Sequence, residues 1–176
     1  MNGFLETANS VDVRSLGLVQ RVLLVSDGTL TDIVEAAFGE PIRLVKLALE
    51  VAPAPTPVQD LDLHGGEPVM RREILLQGAN TGTNYVYAES LIVLQALPPK
   101  LREELVSTQQ PLGRLWVEHK LETRKEILQV WRIAAGSDLA AAHFPSVDPA
   151  RGLLARSYRV FSGGQPVMRI SEYFPD

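Results

Sequence analysis

The stretch Val69-Met-Arg-Arg-Glu-Ile-Leu-Leu-Gln77 decides how this chain is read, because it sets two arginines inside a run that otherwise has the composition of a buried strand. Side chains of a strand alternate between its faces, so Arg72, Ile74 and Leu76 share one face while Arg71, Glu73 and Leu75 share the other. One arginine is thereby directed inward. A guanidinium buried without a partner is costly, so an inward arginine calls for a protein carboxylate or an anionic ligand. A carboxylate in a similar setting occurs in Gln165-Pro-Val-Met-Arg-Ile-Ser-Glu-Tyr-Phe-Pro175, where Met168, Ile170 and Glu172 share a face opposite Arg169, Ser171 and Tyr173. Two readings satisfy this pair: Arg72 and Glu172 line one cavity on a curved sheet, or they form a salt bridge that fastens two strands.

The surrounding chain suits one compact domain with a core large enough to enclose a small pocket, since 45% of its 176 residues are hydrophobic and no Ser/Gly-rich linker divides it. A formal charge of -4 gives no support to nucleic-acid binding. There is no cysteine, which excludes disulfides and thiolate chemistry, and His64, His119 and His143 are too dispersed to suggest a metal centre. The absence of a secretory leader pattern and of a transmembrane-length apolar run makes cytoplasmic location the default. Without a coiled-coil repeat, a monomer is the default assembly, with a dimer allowed.

Residues 1–27 read as an N-terminal arm and helix, and residues 28–176 as the main domain packed with it. Ser15 through Val25 fits a helix or a helix followed by a strand. Thr29 through Phe38 reads as a helix capped by Thr29 and stopped by Gly39, with Leu30, Ile33, Val34, Ala37 and Phe38 on its apolar side. Ile42–Leu49 is an expected strand, and the alternating prolines from Ala52 to Pro57 cross the surface between elements. Tyr85–Val93 is the antiparallel mate of the central strand, and Glu89 on it is placed to pair with Arg71 or Arg72. Pro98–Val106 begins like a helix. Pro111–Val117 is a brief turn or helix in which Leu112, Leu115 and Trp116 cover a cavity and Gly113 permits close approach. Glu118–Lys125 is ambiguous between helix and strand, Ile127–Ile133 is a strand, and 134–151 is a long connection or flap. Leu153–Phe161 and Pro166–Phe174 flank Ser162-Gly163-Gly164, a hairpin signal.

Arg71-Arg-Glu-Ile-Leu-Leu76, Tyr87-Ala-Glu-Ser-Leu91, Pro111-Leu-Gly-Arg-Leu115 and Tyr158-Arg-Val-Phe-Ser-Gly-Gly-Gln-Pro-Val-Met168, running into Glu172-Tyr-Phe-Pro175, together resemble the chorismate pyruvate-lyase family in its broad lyase-like branch. The resemblance spans roughly residues 28–175. It implies a single α+β domain, a curved antiparallel β-sheet flanked by helices, with an enclosed ligand pocket under flaps. It implies cleavage of chorismate to 4-hydroxybenzoate and pyruvate without a cofactor, with Arg72 and Glu172 as catalytic residues and Leu112 against the ligand. Gly113, Arg114, Arg71, Glu89 and Arg156 complete the candidate substrate-binding set. A related fold serves as the effector domain of some transcription regulators, so a non-catalytic aromatic-acid-binding or regulatory effector module is one alternative, and a lyase-like enzyme acting on a related cyclohexadienyl carboxylate is another. One departure stands out: characterised lyases carry an arginine where this sequence has Glu89. If that arginine anchors a dianionic substrate, another cation must compensate, and Arg71, Arg114, Arg156 and Lys46 are the candidates.

Overall fold

The computed structural model describes residues 9–54, 56–108, 110–134, 136–148 and 152–176. The start of the N-terminal arm, residues 1–8, and parts of the 134–151 connection lie outside the described residues. The strands are β1 (Asn9–Ser10), β2 (Ile42–Pro53), β3 (Pro68–Gly78), β4 (Asn84–Val93), β5 (Thr123–Ile133), β6 (Leu153–Ser162) and β7 (Gln165–Pro175). They form one sheet in the order β1-β5-β6-β7-β4-β3-β2, and every neighbouring pair is antiparallel. Among the described residues five α-helices complete the α+β fold: α1 (Leu18–Val25), α2 (Leu30–Phe38), α3 (Pro99–Ser107), α4 (Leu112–Glu118) and α5 (Asp138–His143). No helix among the described residues is long and apolar enough to cross a membrane.

Alternation along the strands divides the core into layers. On one face Ile42, Leu44, Ile74, Leu76, Val86 and Ala88 pack against α1 and α2 through Leu23, Leu24, Leu30 and Val34. On that same face, further along the strands, Met70, Ile92, Met168 and Ile170 pack against α3 and α4 through Leu101, Leu105, Leu115 and Trp116. Two helix pairs therefore share one side of the sheet. The other face carries Leu75, Tyr87 and Tyr173 beneath Leu139, Ala140 and Phe144 of α5 and its C-terminal end.

The sequence expectations hold for most elements, and the differences have local causes. Leu18–Val25 is helical throughout, so the helix-then-strand alternative is not realised. The prolines expected to lie wholly between elements begin inside the ladder: β2 runs to Pro53, which pairs with Pro68. An edge strand tolerates this, because a missing N–H there costs no interior ladder bond. The charged stretch Glu118–Lys125 closes α4, turns, and enters β5 at Thr123. The 134–151 connection contains α5, whose N-cap Ser137 accepts from the Ala140 N–H. Gly163 and Gly164, at φ 57° and 80°, form a two-residue turn in the left-handed region, which matches the twist of the β6–β7 hairpin.

Glu40, just after α2, fastens the loop between β3 and β4. Its carboxylate accepts from the Tyr85 hydroxyl (2.6 Å), the Thr81 hydroxyl (2.7 Å) and the N–H groups of Asn80 and Thr81 (3.0 and 3.1 Å). The Tyr85 and Thr81 hydroxyls lead in holding its pKa down at about 2, against an ordinary 4.5. The stabilisation is therefore complete above pH 4.5 and vanishes as pH falls toward 2. Glu40→Gln is expected to reduce stability at pH 7 and to converge with the parent protein near pH 2; urea melts at both pH values check this, and an equal gap at both would refute it.

Candidate active site

Register brings the distinctive polar residues onto adjacent rungs of the sheet. Arg72 lies opposite Ser90, and Ser90 opposite Ile170. On the neighbouring rung Ile74 lies opposite Ala88, Ala88 opposite Glu172, and Glu172 opposite Arg156. Arg72 and Glu172 are thus separated by β4, two strand spacings or roughly 10 Å at the backbone, and no ion pair joins them. The fastening salt bridge is a different one: Arg156 Nε donates to Glu172 Oε2 at 2.6 Å.

These rungs form the floor of a cavity of about 280 Å³ lying between the two helix pairs. Its roof is the N-terminal end of α4, with Pro111, Leu112, Gly113 and Trp116, together with the Asp27–Thr31 segment that leads into α2. Gly113 is required by packing, since a Cβ there would stand 2.6 Å from Thr29 Cγ2. Leu112 and Trp116, four residues apart on α4, are both buried and turn the same side toward the cavity.

Arg72 is only 2% exposed. Its Nη2 makes one long contact with the Gln110 carbonyl at 3.4 Å, and its Nε has no hydrogen-bond partner among the described residues. Burial pulls its pKa from 12.5 down to about 10. This corresponds to a folding penalty on the order of 3 kcal/mol, present below that pKa and relieved only as the pH rises through it. Lys46, held by the Leu105 and Val106 carbonyls at the end of α3, adds positive potential near Arg72.

Glu172 has both oxygens engaged: Oε2 accepts from Arg156, and Oε1 accepts from the Tyr158 hydroxyl at 2.8 Å. Burial raises the Tyr158 pKa well above its ordinary value, with the charge of Glu172 adding to the effect, so this phenol stays a donor. Burial opposes the charge on Arg156, but Glu172 outweighs it and the guanidinium pKa rises. Arg156 Nη1 also donates to the Ser26 carbonyl at 2.9 Å, tying the roof segment to the floor.

The structure brings Arg72, Leu112, Gly113 and Glu172 around one cavity, with Arg156 beneath Glu172. Other candidates lie elsewhere. Arg71 is exposed and, like Glu89, belongs to the opposite face of the sheet. Glu89 pairs with neither arginine; it stands opposite Glu73 and accepts from the Tyr87 hydroxyl at 2.9 Å. Arg114 points to α2, donating to both oxygens of Glu35 at 2.9 and 3.0 Å. The sequence reading passed over Lys125, Tyr158 and Ser90, all of which line the cavity. Alternation in Leu154, Arg156, Tyr158 and Val160 was the available signal for Tyr158; Lys125 lay in the ambiguous charged stretch.

An open antiparallel sheet with two helix pairs over one face, α5 over the other and a buried cation beneath the paired helices is an α+β domain of chorismate-lyase-like fold. Residues 24–176 match the family described as Chorismate pyruvate-lyase Rv2949c-like, and the chain belongs to that family. A chorismate pyruvate-lyase of Mycobacterium leprae is 33% identical over 173 residues, covering 96% of this chain and 79% of the relative. That of Mycobacterium tuberculosis is 32% identical over 166 residues, covering 93% and 82%. Among solved structures, PhnF from Mycobacterium smegmatis superposes with a TM-score of 0.67 at 14% identity, over 86% of this chain and 65% of that one. Its effector domain alone gives 0.63 at 13% identity, over 86% and 91%. At such identities the likeness is one of fold.

The two buried arginines should respond oppositely to truncation. Arg156→Met strands the Glu172 carboxylate and is expected to lower unfolding free energy by about 3–5 kcal/mol. Arg72→Met removes an uncompensated buried charge and is expected to raise it by about 1–3 kcal/mol. Denaturant melts of both variants at neutral pH give the comparison, and destabilisation by Arg72→Met would contradict the unpaired state of that side chain.

Proposed function

We propose that this protein cleaves chorismate to 4-hydroxybenzoate and pyruvate. The observation that carries the reading is the buried Arg72 guanidinium, which lacks a carboxylate partner among the described residues and lines a cavity that is partly open to solvent. A ligand carboxylate supplies the missing countercharge through charge-assisted hydrogen bonds, and this interaction both holds and orients the substrate. The family and the two mycobacterial relatives support chorismate as that ligand.

In the reaction the bond between the ring and the enolpyruvyl oxygen breaks, and the departing group becomes pyruvate on gaining a proton. The ring loses a proton and becomes aromatic. Glu172, held as an acceptor by Arg156 and Tyr158, takes the ring proton. Leu112 and Trp116 keep water from the reacting atoms, which strengthens the electrostatic contacts inside. Aromatisation supplies the driving force.

A second reading also has an observation in its favour. Both Glu172 oxygens are already bonded within the protein, as suits a non-catalytic module that binds an aromatic acid, and the effector domain of PhnF shares the fold.

Incubation of the purified protein with chorismate, with both products measured, separates the two. Release of pyruvate and 4-hydroxybenzoate is expected; stoichiometric binding without pyruvate would overturn the lyase reading in favour of the binding module. Arg72→Met is expected to reduce kcat/KM by about 10²-fold or more, because it removes charge-assisted contacts. Glu172→Gln is expected to reduce kcat by about 10²–10⁴-fold while 4-hydroxybenzoate binding stays measurable, and undiminished turnover would remove Glu172 from the proton transfer.

A further inference from the structure

Lys125 enters the cavity from β5, on the far side of the floor from Arg72. Its ammonium donates to the carbonyls of Asp27 and Gly28 at 2.9 and 2.8 Å. An ammonium has three hydrogens to donate, so one remains. The group lies over the Tyr158 ring, 5.5 Å from its centre, near Glu172. Glu172 is already neutralised by Arg156, and Arg72 stands four strands away across the same floor. The cavity therefore has a cation at each end and an internally balanced ion pair between them.

The charge count gives the ligand class. Around the cavity, Arg72, Lys120, Lys125 and Arg156 are set against Asp27 and Glu172; four cations less two acids leave two positive charges. Lys120 and Asp27 are both exposed at the rim and drop out together, so the excess inside, three cations less Glu172, rests on Arg72 and Lys125. We propose that Lys125 is the second anion-binding residue of this cavity, taking the carboxylate of a dianionic ligand that lies remote from Arg72 and so selecting dicarboxylates over monocarboxylates. None of the cations considered from sequence fills this place: Arg71 and Arg114 lie outside the cavity, the charge of Arg156 is balanced by Glu172 although its Nη2 has no hydrogen-bond partner among the described residues, and Lys46 is held at the end of α3. With chorismate as ligand, which rests on the lyase reading above, cleavage parts the two carboxylates.

The test compares a dianion with a monoanion. In a Glu172→Gln background, which slows the loss of chorismate during the titration, Lys125→Met is expected to weaken chorismate binding by about 10- to 100-fold in calorimetric titration, while changing that of 4-hydroxybenzoate by less than about threefold. Lys125→Arg keeps the charge and is expected to retain the preference for chorismate. Equal losses for both ligands would reduce Lys125 to a fastener of the Asp27–Gly28 roof, and unchanged binding of both would remove it from the site; either overturns the proposal. The readout does not depend on turnover. If the parent protein releases no pyruvate yet shows the expected binding pattern, the lyase reading fails and the assignment of Lys125 stands; if it turns over and Lys125→Met leaves KM unchanged, the reverse holds.

Discussion

A guanidinium held out of water with no countercharge is the constraint around which this structure is arranged. Arg72 and Arg156 project from the same face of one sheet and are almost equally buried, at 2% and 1% exposure. Arg156 has Glu172 on the adjacent strand and the Ser26 carbonyl above it. Arg72 has neighbours that bring it no negative charge: Ser90 and Leu49 in the ladder, and a long contact to the Gln110 carbonyl. Packing of α3 and α4 on one side and of α1 and α2 on the other keeps solvent from relieving that charge. The fold tolerates a local cost at Arg72, a pattern expected where a functional demand outweighs stability.

Much of this was legible because it depends on local periodicity. The period of two in Arg72-Glu-Ile-Leu-Leu76 and in Met168-Arg-Ile-Ser-Glu172 put Arg72 and Glu172 on definite faces, and the strands are long enough to make the assignment firm. Identity of the partner across the ladder is another matter. Counting outward from the Gly163-Gly164 turn in an unbroken ladder sets Glu172 opposite Ala155; a bulge between Val160 and Phe161 shifts the register by one residue and places Arg156 there instead. No residue type marks that bulge. The salt bridge that the sequence offered to Arg72 therefore went to another arginine, and the cavity kept its unpaired cation.

Lys125 escaped notice for a related reason. Its segment is dense in charge, and β5 carries many exposed side chains, so neither a helical nor a strand period emerges from composition. Its place in the cavity follows from strand order, which sets β5 beside β6 although α5 and its flanking loops separate them in the chain. Strand order likewise changes the meaning of Glu89. Read as a linear motif, an acid replacing an arginine suggests lost affinity for an anion. In the folded sheet it belongs to the face opposite the cavity and accepts from Tyr87, so it leaves the contacts inside unaltered.

A fold shared with an effector domain makes catalysis a question about one group, because holding an aromatic acid requires only the cation and the dry enclosure. Proton transfer requires a carboxylate with an unused lone pair aimed at the ligand. The engagement of Glu172 by Arg156 and Tyr158 does not exhaust it: two oxygens offer about four acceptor positions, and the two protein donors occupy two of them. Those donors fix the plane of the carboxylate at the cavity wall, the orientation that the proton transfer proposed above requires. A carboxylate suffices there, since the ring gains aromatic stability as its proton leaves. Under the lyase reading, the ion pair that fastens β6 to β7 also holds a flexible glutamate in place for that transfer, so the same three side chains would meet the structural and the chemical demand.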